Sequence, residues 1–272
     1  AKVDEDTLET HFALGHLFRR RGEVERAIRV HENLLARPTL NETQRHQALF
    51  SLAEDYLGAG LFDRAEQFLT QITESPTLAE AALEKLVYIY EREQEWQKAI
   101  DVQRKLEMRR GTKSSQVAHY YCELAEIARA SGDRQLAREH LKNAVRSESG
   151  ALRGALIRAA LAQEDGDFPE ATALYQQVIA ADRQFISEVL PSLIKCYRAA
   201  GRDADLETYL QRLVARDASL ERDLAFAAVI GSLTDSTTLA QCIEHFVFGH
   251  PVLASLVNAE ELKALPGEQR RL

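Results

Sequence analysis

The side chains that could do chemistry are scattered along this chain rather than gathered. His11 and His16 stand five residues apart, which points them to different faces of one helix and offers no paired metal ligand. The eight histidines otherwise occur singly. Cys122, Cys196 and Cys242 are separated by 74 and 46 residues, a pattern of neither a disulfide framework nor a metal motif. Each falls in an apolar helical stretch and reads as a small buried hydrophobe, a usage that fits a reducing compartment. The 42 Asp and Glu residues make coincidental pairs unavoidable on a solvated helical surface, so none is read as a general acid and base. No Gly-x-x-x-x-Gly-Lys phosphate loop, Gly-x-Ser-x-Gly elbow, His-Glu-x-x-His or Gly-x-Gly-x-x-Gly stands in the sequence. The chain reads as non-catalytic, an enzyme only if active groups assemble across separate elements.

The formal charge of −8 and pI near 5.6 argue against the broad positive footprint that nucleic-acid binding needs. Arg19-Arg20-Arg21 and Arg109-Arg110 are the basic clusters; they read as solvated helix ends, because three charges bind a membrane weakly. No run of about 18 apolar residues and no signal peptide is present. The opening from Ala1 through Lys2-Val3-Asp4-Glu5-Asp6 reads as the cut edge of a longer protein.

Helices must position whatever this chain binds. Around Gly22, Leu8, Phe12, Leu14, Gly15, Leu17 and Phe18 supply one apolar face, and Val24, Ala27, Ile28, His31, Leu34 and Leu35 supply another at helical spacing. The pattern is helix, glycine turn, helix, and it recurs. A small or apolar residue returns as Ala27, Ala65, Ala99, Ala137, Ala171 and Leu206, at intervals of 38, 34, 38, 34 and 35. The turn slot returns as Gly22, Gly60, Gly132, Gly166 and Gly201, with Gln94 the departure. Val24, Phe62, Trp96 and Phe168 follow two residues after it, where a ring can pack in the mouth of the hairpin. Shared registers of this kind mark internal repeats that stack as one elongated body.

These registers, with Leu52, Ala53, Tyr56, Ala65 and Pro76 at matching positions, resemble the tetratricopeptide repeat family. The resemblance implies an all-α, right-handed superhelical solenoid of stacked helix-turn-helix repeats. Six repeats are expected within residues 1–216, and 217–272 read as degenerate repeats or a helical cap, with helices near 219–231, 236–248 and 252–264. Asn41 with Gln44 predicts a capping box opening repeat two. The four extra residues in each 38-residue interval fall in 36–41 and 109–114, which predicts alternating tight and loose junctions. Arg158 occupies the slot of Leu14, Leu52, Leu86 and Leu124; it either snorkels to solvent or pairs with Glu164 or Asp165. Pro191 should kink the sixth repeat's first helix unless that helix starts late.

In the family, first helices line a concave groove, and its pattern carries over to particular residues here. The expected partner-binding side chains are Phe12, His16, Arg19 and Arg20 in repeat one, Phe50 and Glu54 in repeat two, and Tyr88, Glu91 and Arg92 in repeat three. Repeat four offers His119, Cys122, Glu126 and Arg129; Arg153 follows in repeat five, and Lys195 and Arg198 in repeat six. Charges alternating with aromatics suit a partner's peptide or helix. Phe12 and His16 stand where carboxylate-gripping co-chaperones of the family place lysine and asparagine, so that role is not expected.

Runs such as Glu95-Trp96-Gln97-Lys98-Ala99-Ile100-Asp101-Val102 and Val117-Ala118-His119-Tyr120-Tyr121-Cys122-Glu123-Leu124-Ala125 are similar to a family of bacterial inner-membrane regulators of endotoxin synthesis. That resemblance, over about residues 8–215, implies a cytoplasmic adaptor held at the inner membrane by an N-terminal helix. Its implied partners are a membrane-anchored AAA+ protease and the zinc deacetylase that commits precursor to lipid A. In the family the repeats are followed by a rubredoxin-like module with four cysteines for iron or zinc; those cysteines do not occur in this sequence, so no cofactor is expected in this chain. A homodimer through terminal faces is a further expectation. A docking module for envelope or secretion machinery is the alternative.

Overall fold

A computed structural model describes residues 2–147 and 152–216 of the chain. Among these residues there are twelve α-helices and no strand. They are α1 (Lys2–Arg20), α2 (Val24–Leu35), α3 (Glu42–Gly58), α4 (Phe62–Thr70), α5 (Ala79–Glu93) and α6 (Trp96–Arg110), then α7 (Gln116–Ala130), α8 (Arg134–Ser147), α9 (Leu152–Glu164), α10 (Phe168–Ala181), α11 (Ile186–Ala199) and α12 (Asp203–Arg216). The expected helices beyond 216 lie outside the described residues. The chain divides into two compact units, Ala1–Leu124 and Ala125–Leu272, with the boundary inside α7. In the first, hairpins α1/α2, α3/α4 and α5/α6 stack through α2 on α3 and α4 on α5; in the second, α9, α10, α11 and α12 pack in succession, with α8 against α9. The fold is all-α, of the stacked-hairpin solenoid class.

One turn closes every hairpin. The slot residue is left-handed at Gly22, Gly60, Gly132, Gly166 and Gly201, and also at Gln94, where φ is 58°. The next residue donates its N–H to a carbonyl five back: Glu23 to Phe18, Leu61 to Tyr56, Glu95 to Tyr90, Asp133 to Ala128, Asp167 to Ala162 and Arg202 to Tyr197, each at 2.9 Å. With the slot N–H bonded three back, this is the Schellman closure that satisfies helix-end carbonyls. Gln94 therefore adopts the turn despite its Cβ. Gln94→Gly removes that steric cost of about 1–2 kcal/mol against a smaller loss from glycine's unfolded-chain entropy. Urea unfolding should show a net gain of about 0.5–1 kcal/mol; an unchanged or lower midpoint would count against it.

Opposite each turn, Ala27, Ala65, Ala99, Ala137 and Ala171 are wholly buried and Leu206 nearly so, which lets paired helices approach closely. Leu52, Leu86 and Leu193 fill the matching first-helix slots in the core, whereas Leu14 and Leu17 on α1 are exposed. Asn41 caps α3, accepting from the Gln44 N–H while the Gln44 side chain accepts from the Asn41 N–H. Repeats are stitched by tyrosines: Tyr56 donates to Glu32 at 3.0 Å and Tyr90 to Glu66 at 2.7 Å. Phe62 and Trp96 meet rings of the following first helix, Tyr88 at 6.4 Å and Tyr120 at 6.0 Å.

Four expectations can be set against the structure. The linkers are unequal but do not alternate as predicted: the long one is 71–78, after the nine-residue α4, and the extra residues before repeat four do not form a longer loop there, where only 111–115 separates α6 from α7. Arg158 snorkels as expected, its side chain 46% exposed, and the acid it meets is Glu170 at 3.2 Å, while Glu164 and Asp165 bond Arg129, Arg134 and Arg138. Pro191 lies inside the sixth repeat's first helix as expected, and that helix, α11, starts before it, behind a 3-10 turn at Arg183–Phe185. The Arg109-Arg110 cluster is not merely solvated: Arg109 bonds Glu74 and the Thr73 carbonyl, and Arg110 bonds Glu80 and Glu84.

Candidate functional site

Helical spacing puts Phe12, His16 and Arg19 on one face of α1, and puts Ser51 and Asp55 on one face of α3. The α1 face meets the α3 face and also meets His31 from α2. Asp55 and His31 are wholly buried, and the His31 Nδ1 bonds the Asp55 carboxylate. The other oxygen of Asp55 accepts from Arg19 at 2.7 Å, and Arg19 also donates to the Ser51 carbonyl at 3.1 Å and to Glu54 at 2.8 Å. Glu54 in turn approaches Lys85 on α5 at 3.6 Å. A charged ladder thus runs across α1, α3 and α5. Its outer rungs are partly exposed and contribute little to stability by themselves. Anchored on buried Asp55, Arg19 is held in place.

His16 bonds the Ser51 hydroxyl at 3.3 Å, and its ring lies 5.5 Å from that of His31 and 6.4 Å from Phe12. Burial, followed by the Arg19 charge and by His31, holds its pKa below the ordinary 6.5, outweighing Glu54 and Asp55. The unfolded chain therefore binds the proton more tightly. His16 contributes stability that is fully present above 6.5 and is lost as pH falls toward the depressed value. An NMR titration should place the His16 ring midpoint below 6.5; a midpoint at or above it would refute this.

The remaining expected side chains of the first unit spread outward. Arg20 and Arg92 are exposed and Phe50 is half-buried. Tyr88 is 47% exposed, and the Glu91 carboxylate accepts from the Tyr120 hydroxyl. His119 is exposed within 3.5 Å of Glu123. Cys122 is 1% exposed and lines no surface: it is core, as its apolar context implied. In the second unit Arg129 bonds Glu126 at 2.8 Å and Glu164 on α9 at 2.7 Å. Arg19 and Arg129 occupy the same repeat position, and each bonds a glutamate of the next first helix, Glu54 and Glu164, at different positions of that helix. Arg153 and Lys195 are exposed and Arg198 is half-buried. The structure brings Phe12, His16, Arg19 and Glu54 together in one cluster and Glu126 with Arg129 in another.

Sequence reasoning missed His31, Ser51 and Asp55. The signal was a histidine in the apolar series of α2, opposite a mid-helix glycine in α1. Among the described residues no group of three or more His, Cys, Asp or Glu is arranged to hold a metal ion. No described helix is long and apolar enough to cross a membrane.

A family model described as tetratricopeptide repeat matches residues 10–45, which span the turn at Gly22, the buried Ala27 and the start of α3. That stretch is a tetratricopeptide repeat. Among curated relatives the chain is 36% identical over 253 residues to the lipopolysaccharide assembly protein B of Escherichia coli K12, covering 93% of this chain and 65% of that protein. The namesake from Haemophilus influenzae is 31% identical over 223 residues, 82% of this chain and 56% of that protein. The chain thus spans less than two thirds of the length of the curated relatives it matches. A tetratricopeptide repeat protein from Parabacteroides merdae of known structure aligns over 94% of this chain and 96% of its own, at 14% identity and a TM-score of 0.43. As a tetratricopeptide repeat protein, the chain is a protein-interaction scaffold, and its first-helix side chains are the candidate contacts.

Proposed function

We propose that this chain is a non-catalytic adaptor in lipopolysaccharide assembly at the cytoplasmic face of the inner membrane. In this reading its first-helix faces bring a membrane-anchored AAA+ protease and the lipid A-committing deacetylase together, and so limit lipopolysaccharide. Simultaneous binding raises the effective concentration of substrate at the protease without any catalytic group. The observation that carries the reading is the 36% identity to lipopolysaccharide assembly protein B along 253 residues. It is supported by pre-set charges such as Arg19 and Arg129, whose carboxylate partners hold them in place before a partner arrives.

The test is photocrosslinking from Tyr88 and Arg92 in the full-length protein in its own host, together with the deacetylase half-life after depletion. Adducts to protease or deacetylase and a lengthened half-life are expected. Absence of both adducts with unchanged turnover would leave a docking role with other partners.

A further inference from the structure

In the second unit, α8, α9 and α10 enclose a cavity of about 580 Å³. One of its lining residues departs from the apolar type that the repeats otherwise place there. In repeats two, three and six the first-helix slot holds Leu52, Leu86 and Leu193, all wedged into the core at 2% exposure or less. In repeat five the slot holds Arg158, whose side chain is 46% exposed and turned to Glu170. The apolar plug is missing, and a cleft remains beside α8.

The floor of the cleft is apolar, with Leu141, Leu161 and Ala162, and Val145 stands on its edge at 44% exposure. The acids of the wall are already engaged. Asp165 holds Arg134 and Arg138, Glu170 holds Arg158, and Asp167 accepts the Glu170 N–H at 3.1 Å as the cap of α10. The lining cations Lys142 and Arg146 make no ion pair among the described residues. They lie one helical turn apart on α8, so both face the same side.

We propose that this cleft docks an acidic segment of a partner protein carrying one apolar anchor side chain. The anchor covers the floor left open by Arg158, and flanking carboxylates pair with Lys142 and Arg146. A free phosphate would leave the apolar floor uncovered, and an acidic peptide uses both halves of the site. The volume lies in the range of ordinary ligand pockets, enough for a large side chain and its neighbours. Its cations stand on α8, the second helix of repeat four, and none of its lining residues is among the expected first-helix contacts, so the proposal does not rest on the adaptor reading.

The experiment is panning of a phage-displayed random peptide library on the 272-residue chain, followed by fluorescence anisotropy of a labelled synthetic peptide from the enriched set. Enrichment of an apolar residue flanked by Asp and Glu is expected. Lys142→Glu with Arg146→Glu should weaken that peptide by about tenfold or more, since two favourable pairs become repulsive. Arg158→Leu places the leucine of repeats two, three and six beside the cleft; it should abolish binding while the melting temperature is kept or raised. Three results would overturn the proposal: no enriched consensus, a consensus without acids or without an apolar residue, or affinity indifferent to both variants. Full competition by inorganic phosphate would likewise reduce the cleft to a simple anion site.

Discussion

Asp55→Ala lowers the unfolding free energy of the first unit by about 3–4 kcal/mol, the lower part of the range for breaking a buried ion pair. Asp55 is wholly buried, and both its oxygens are engaged, one by His31 and one by Arg19. Removing it leaves His31 with neither ring nitrogen bonded, because Nε2 already has no partner. An unsatisfied buried polar group of this kind costs about 1–3 kcal/mol. Arg19 fares better. Its side chain is 22% exposed and keeps Glu54, which is why the cost stays below the top of the range. Asp55→Asn retains shape and one hydrogen bond and should fall between wild type and alanine. Urea unfolding orders the series, and a loss below about 1 kcal/mol for Asp55→Ala would show that the pair is not the pin between α1, α2 and α3. The functional consequence is specific. With Asp55 gone, Arg19 is no longer aimed, and contacts that use it weaken even where the hairpins survive.

How far the sequence foretold this depends on the kind of signal. Turn and seam positions were legible because they repeat: five glycines and the alanine series fixed where helices end and cross, and even Gln94 keeps the backbone of its slot. Helix lengths were less legible. Spacing measures the sum of helix and linker, so it could not say that α4 stops at Thr70 or that α6 runs to Arg110. Charged pairs were least legible, since partners lie one repeat away. Arg158 had three acids within reach, and the choice of Glu170 follows from competition by Arg129, Arg134 and Arg138 for the other two. The docking face was named from the family's pattern, but its anchor was not. His31 looked like one more residue of an apolar stripe, and only the folded chain shows that it meets Asp55.

Gly15→Ala should be nearly as damaging, although it adds a single methyl in a residue type that favours helix. On propensity alone the change would stabilise α1 by about 1 kcal/mol. Packing opposes it. A Cβ on Gly15 would lie 2.5 Å from His31 Cε1 and 3.0 Å from Cδ2, well inside van der Waals contact. The imidazole cannot retreat cheaply, because it is wholly buried and tied to Asp55 on its far side. Either α1 moves off α2 or the His31–Asp55 bond breaks. Overpacking costs about 1–3 kcal/mol and loss of the bond adds to it, so a net loss of about 2–3 kcal/mol is expected after the helix gain. The same clash predicts strong coupling. In a His31→Ala background the space is vacant and Gly15→Ala should cost under about 0.5 kcal/mol, leaving an interaction energy of about 2 kcal/mol in a double-mutant cycle. Additive single effects would mean that glycine is placed there for another reason. The expected coupling would make Gly15, His31, Asp55 and Arg19 one device: a glycine admits a histidine, the histidine holds an aspartate, and the aspartate aims an arginine at the face proposed for partners.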